Sequence, residues 1–277
     1  MSKIENVLWK LFYFLILLII VKLLGDFLEL KLEENFTWFR ILFLVTPVII
    51  LLLHSFLTLT LGRGLFFVFL ASATGLIMEY LGLRDGTIFG GHYIYKPQLT
   101  FFNVPISVIA YWAVFIYVGY CLINSFLYGT NRNKPSYKNK KILLLPFLII
   151  LDAVVVTAID LFMDPIQVKI GGWKWLEGGP YFGIPIGNFV GWFLVTIIVT
   201  GIFRVLEYFY PIKEEKYRKS VFVIPVLGYG ILALSFALMA SKYQMFSLIL
   251  IGSLFMLPQV ILNLIFFNGY EKKKLSL

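Results

Sequence analysis

Eight apolar segments divide this 277-residue chain, at about residues 7–24, 39–61, 65–81, 104–128, 142–163, 188–209, 221–240 and 245–267. A helix rises 1.5 Å per residue, so about 20 residues cross the roughly 30 Å hydrocarbon core of a bilayer. Lipid offers no partner for backbone amides and carbonyls, so each segment must satisfy them internally, as a helix does. The chain is therefore expected to be an all-α, polytopic integral membrane protein, a single transmembrane domain over residues 1–277. The first segment, Val7–Leu24, has no small-residue cleavage site after it and reads as a span, not a signal peptide. Only Ser241–Gln244 separates the last two segments, which implies a tight helical hairpin. Residues are 60% hydrophobic and 14% charged, against about 45–50% and 25% in soluble domains. A water-soluble enzyme is excluded, and little length is left for an extramembrane domain.

The net charge of +9 sits in short stretches between apolar blocks. That placement is the topology signal of a membrane protein, and no nucleic-acid partner is expected. With the N-terminus inside, 15 Lys and Arg fall on the inner side and 7 on the outer. Both termini are then cytoplasmic and the protein a multi-pass component of the cell membrane, with membrane lipid as its constant neighbour. The one cysteine, Cys121, excludes an intrachain disulfide.

Two outer loops, Gly82–Asn103 and Asp164–Gly187, are long and rich in Gly, Pro and aromatic residues. Loops of this length without strong polarity tend to be functional, and these are expected to pack back on the helices. They also align with each other. Glu79 and Asp160 are 81 apart, as are Gly90-Gly91 and Gly171-Gly172. After a one-residue gap, Phe101-Phe102 with Val104-Pro105-Ile106 matches Tyr181-Phe182 with Ile184-Pro185-Ile186 at an offset of 80, and Trp112 matches Trp192. The third and fourth segments (about 65–128) and the fifth and sixth (about 142–209) thus read as two copies of one helix–loop–helix unit. Both copies run in the same direction, which implies a pseudo-twofold axis along the membrane normal. Glu79 and Asp160 would then be equivalent acids facing each other.

Acidic residues in apolar segments are costly and default to functional hypotheses. Glu79, Asp160 and Asp164 are the catalytic candidates. Asp152, about two turns inward from Asp160, reads as structural. Pro165 disfavours a helical Asp164, so the fifth helix is expected to end there. A carboxyl held protonated by burial can act as a general acid, and a second in a different environment can act as a base. Asn188, at the outer mouth of the sixth segment, could orient a water or cap its helix. Tyr93, Tyr95, Trp112, Trp173, Trp175, Tyr181, Phe182 and Trp192 flank the acids and are the candidate substrate-binding surface. An interfacial aromatic belt would explain scattered rings, but less well their fixed spacing to Gly-Gly and Pro. Electron-rich rings beside an acid can also stabilise a carbocation. His54 and His92 lack paired ligand spacing, so no metal site is expected. No nucleotide-binding loop or hydrolase triad is present, and no cofactor is expected.

The stretch Ala158-Ile159-Asp160-Leu161-Phe162-Met163-Asp164-Pro165, with Gly172-Trp173-Lys174-Trp175 and Gly179-Pro180-Tyr181-Phe182-Gly183-Ile184-Pro185, then Asn188 and Gly191-Trp192, resembles the main signature of the carotenoid biosynthesis membrane proteins that include the bisanhydrobacterioruberin and γ-carotene hydratases. Gly90-Gly91-His92-Tyr93, Tyr95 and Val104-Pro105 resemble a second signature, and the resemblance covers roughly residues 65–210. It implies a hydro-lyase that adds water, without a cofactor, to the terminal C=C of an acyclic carotenoid end group. It also implies a hydrophobic carotenoid substrate and association with other carotenoid enzymes. Either Glu79 or Asp160 would donate the proton, with Asp164 as a third group. Two other readings compete. Asp160 and Asp164 resemble half of a Mg²⁺-diphosphate motif, as in an intramembrane prenyltransferase. A non-enzymatic carotenoid- or lipid-binding protein or a transporter is the other, although a transporter would place its polar groups at the midplane.

Overall fold

A computed structural model describes residues 2–30, 32–130, 142–211 and 219–274. Its helices are α1 (Lys3–Phe27), the four-residue α2 (Leu32–Asn35), α3 (Thr37–Thr58), α4 (Leu61–Asp85), α5 (Ile106–Thr130), α6 (Leu145–Ile170), α7 (Ile186–Phe209), α8 (Lys219–Lys242) and α9 (Phe246–Lys274). Eight of these are long and apolar enough to cross a membrane, so the fold is all-α and polytopic. The basic runs at 131–141 and 212–218, which carry much of the charge asymmetry, lie outside the described residues.

Helix starts follow local chemistry. Ser2 and Glu5 form a reciprocal capping box on α1, and the Thr60 hydroxyl accepts from the Arg63 amide at the start of α4. α5 is the hub of the core, with Trp112, Ile116, Tyr117, Tyr120 and Leu122 almost fully buried. α4 packs on α5 and α6 on α7, and the two hairpins meet through α4 against α7 and α5 against α6. A smaller cluster ties α1, α3 and α8 together through Leu8, Phe12, Ile50, Val221 and Ile224.

The two long loops fold back on the bundle and onto each other. Strands β1 (Tyr93–Tyr95) and β4 (Trp173–Trp175) pair antiparallel across the two loops, with Ile94 opposite Lys174. Strands β2 (Thr100–Phe101) and β3 (Val104–Pro105) close a tight turn, and Tyr181 and Ile184 form the matching bridge in the second loop. Phe102 and Asn103 have φ of 49° and 64°, Phe182 and Gly183 of 52° and 85°. Positions aligned at an offset of 80 thus share an unusual backbone conformation. The loops also touch through bare backbone. A Cβ on Gly187 would lie 2.6 Å from the Cα of Gly90, whose φ is +77°.

One expectation is corrected. α6 does not end at Asp164 but continues through Pro165 to Ile170. Proline removes the amide that would bond the carbonyl four residues back. Here that carbonyl, Leu161 O, accepts the Tyr181 hydroxyl at 2.9 Å. Neighbouring groups that take up the freed carbonyl are what let a spanning helix carry proline.

The far end of the bundle from these loops holds a buried ion pair. Arg204 donates from Nε and Nη2 to the two oxygens of Asp152 at 2.5 and 2.6 Å, and from Nη1 to Asn124 Oδ1 at 3.1 Å. Its guanidinium lies over the Tyr120 ring, 4.8 Å from the centroid.

Candidate functional site

β1 alternates sides, so Tyr93 and Tyr95 point the same way while Ile94 points out. Both hydroxyls reach Glu79 on α4. They donate to Oε2 at 2.7 Å from Tyr93 and 2.8 Å from Tyr95. Trp112 on α5 donates from Nε1 to Oε1 at 3.1 Å. Glu79 is 4% exposed, and its three partners all give hydrogens, the coordination a carboxylate takes. Burial, and then the neighbouring Glu79 carboxyl, push the Tyr93 and Tyr95 phenols well above their ordinary value. Both therefore stay protonated and remain donors across the physiological range.

The second group of acids is held differently. Asp160 and Asp164 lie one turn apart on α6, and both are buried. The Nδ2 of Asn188 on α7 lies 2.8 Å from Oδ2 of each. One amide thus spends one hydrogen on each carboxyl, which keeps the two oxygens within twice that distance of each other. Asn188 does not cap its helix: Pro185 is the N-cap of α7, with no side-chain bond. Asp160 Oδ1 is buried and receives no donor among the described residues. Asp160 Oδ1 therefore has acceptor capacity left over, which a proton between the two acids or an incoming donor would fill.

The aromatic candidates fall into distinct places. Trp112 and Trp192, at matching positions of the two aligned stretches, stack with centroids 4.0 Å apart and planes at 28°. Gly75 makes room for Trp112, since a Cβ there would sit 2.4 Å from the indole. Tyr93 packs on Trp175 at 5.6 Å, and Tyr95 edge-on to Trp173 at 5.8 Å. Tyr181 stands edge-on to Phe182 at 4.9 Å and to Phe189 at 5.2 Å. The structure thus joins Glu79 with Tyr93, Tyr95 and Trp112, and Asp160 with Asp164 and Asn188. Asp152 belongs to the Arg204 ion pair at the other end.

Sequence reasoning missed three things here. That Tyr93, Tyr95 and Trp112 give their polar atoms to Glu79 was not foreseen, although the Tyr-x-Tyr period of two carried that signal. Arg204 was not singled out, although four-residue steps lead to it from Asn188 along buried Trp192, Thr196 and Thr200. Glu177 was not singled out. Its carboxylate accepts the His92 amide at 2.9 Å and lies 3.0 Å from His92 Nδ1, fastening the two loops at their exposed rim. Among the described residues no three His, Cys, Asp or Glu side chains converge as a metal-ligand group.

A family model described as carotenoid biosynthesis protein matches residues 38–258. No curated protein and no solved structure matches the chain.

Proposed function

The chain belongs to the carotenoid biosynthesis protein family, and from that premise we propose that it is a hydratase adding water to the terminal C=C of an acyclic carotenoid end group. The observation that carries this reading is the unlike environment of two buried acid groups: a Glu79 carboxyl with three donors, and an Asp160–Asp164 pair that shares one amide and leaves Asp160 Oδ1 without a donor. Two carboxyls this close in a dry site share a proton more readily than they hold two charges. That shared proton is the one the reaction needs.

In the proposed reaction the Asp160–Asp164 pair gives its proton to C2 of the end group, and the π electrons form the new C–H bond. A tertiary cation remains at C1. Glu79 supplies the fixed negative charge that stabilises it, held in place by Tyr93, Tyr95 and Trp112. Water adds to C1 through an oxygen lone pair, and the proton it then loses returns to the carboxyl pair. The site ends as it began, so neither a redox group nor a net proton source is consumed. The tertiary alcohol forms near the loop-covered end of the bundle, where its hydroxyl can meet water.

Pigment analysis in a host that accumulates an acyclic carotenoid tests this. Expression should convert that pigment to mono- or dihydroxylated products. Asp160→Asn and Glu79→Gln should each lower conversion by about 10²–10⁴ at unchanged protein levels. An unaltered pigment profile with wild-type protein well inserted would overturn the hydratase reading. Full conversion by both variants would remove the acids from the mechanism.

A further inference from the structure

We infer that Tyr181 is a positioning residue for the Asp160–Asp164 pair, its hydroxyl replacing the helix hydrogen bond that Pro165 deletes. In a regular helix the amide of residue 165 would bond the carbonyl of residue 161. Pro165 has no amide hydrogen, and its ring pushes against that same carbonyl. Leu161 directly follows Asp160 in the chain, and Pro165 directly follows Asp164. The disturbed turn is therefore the one that spaces the two acids and presents both to Asn188. Tyr181 Oη donates to Leu161 O at 2.9 Å, filling the vacancy from outside the helix.

The support of that hydroxyl is rigid. The Tyr181 backbone is locked to fully buried Ile184 by hydrogen bonds of 3.2 and 2.9 Å in both directions. Its ring stands edge-on to Phe189, the residue after Asn188. Burial, and then Asp160, push the phenol up to about 12, so it remains a donor at neutral pH. The first of the two aligned stretches supplies an internal comparison. There Arg84 stands where the second has Pro165, so the helix keeps its own amide, and Phe101 stands where the second has Tyr181. Phe101 is 52% exposed and has no hydroxyl to give. The hydroxyl is present where the proline is present, and absent where it is absent.

The catalytic consequence rests on the hydratase reading; the hydrogen bond does not, and a mutant cycle separates them. Tyr181→Phe keeps the ring and removes the donor. Pro165→Ala restores an amide to Leu161 O. In detergent-solubilised protein, Tyr181→Phe alone should lower Tm by about 2–4 °C, the shift for one lost hydrogen bond in a chain of this size. In the Pro165→Ala background the same change should cost little. Carotenoid conversion should fall tenfold or more in Tyr181→Phe, because small misplacements of catalytic groups can cost up to about 10²-fold. Its pH profile should shift, and both should return toward wild type in the double variant. Equal losses from Tyr181→Phe in the two backgrounds would overturn the proposal. Coupled Tm values in a protein that converts no carotenoid would uphold the positioning role while the hydratase reading fails.

Discussion

Asp152 and Glu79 are both buried acids on spanning helices, yet they are satisfied by opposite means. Asp152 faces a guanidinium that gives it two hydrogen bonds. Glu79 faces only neutral donors. Removing a charge from the first therefore strands its partner. Asp152→Asn should cost about 3–5 kcal/mol, the penalty for leaving a buried cation unpaired. A paired Asp152→Leu, Arg204→Met variant should cost far less, because no charge is then stranded; thermal melts of the three proteins would show the order. The acids themselves were legible in the sequence, since a carboxyl in an apolar run has few cheap explanations. Their partners were not. Which indole or phenol turns its polar atom toward Glu79 depends on how a loop strand is laid over the helix ends, and Arg204 meets Asp152 only once α7 has packed on α6.

The elements that carry the site are two helical hairpins joined by their loops. Length and apolarity made the helices readable, because a bilayer permits almost no other solution. The end of α6 was misread at Pro165, because the rule that ends a helix before proline assumes no outside donor, and Tyr181 is sixteen residues further on. We infer that the hairpins are related by a pseudo-twofold axis. The meetings of α4 with α7, α5 with α6, Trp112 with Trp192 and β1 with β4 support this, as does the shared turn geometry at 101–104 and 181–184. Superposition of α4–α5 on α6–α7 in an experimental structure would test it; acids at unlike depths would refute it. The loop contact is tight where it has no side chains. Gly187→Ala should destabilise by about 1–3 kcal/mol through overpacking against Gly90, measured by thermal unfolding in detergent. The rim contact is softer. His92 holds the exposed Glu177 carboxylate below its ordinary value. A depressed acid contributes stability above its unfolded pKa and loses it as pH falls through the folded one, so this fastening should fade below about pH 4. Hydrogen exchange at residues 92–95 and 173–176 should then rise on acidification, and Glu177→Gln should remove that step.

At the scale of the whole molecule, the charge pattern and the loop pairing together decide which side of the membrane the carboxyl site faces. We propose, from the distribution of Lys and Arg in the sequence, that the loops joined by β1 and β4 lie outside and both termini in the cytoplasm. The loop architecture makes this directly testable. Ile94 and Lys174 are directly opposed in the β1–β4 ladder, and both side chains are exposed. Opposed residues of an antiparallel pair have Cα atoms about 4.5–5.5 Å apart, within the range a disulfide spans. The native Cys121 is 3% exposed and lies in the core, so it leaves the experiment clean. Ile94→Cys with Lys174→Cys should form an intramolecular disulfide on mild oxidation, seen as a mobility shift reversed by reductant. The single Ile94→Cys variant should react with a membrane-impermeant maleimide in intact cells, whereas Leu61→Cys, at the opposite end of α4, should react only after the membrane is opened. Labelling in the reverse order would invert the orientation and place the new hydroxyl on the cytoplasmic side. Absence of the disulfide would separate the loops, and with them the Tyr93 and Tyr95 hydroxyls from a strand partner that helps hold them over Glu79.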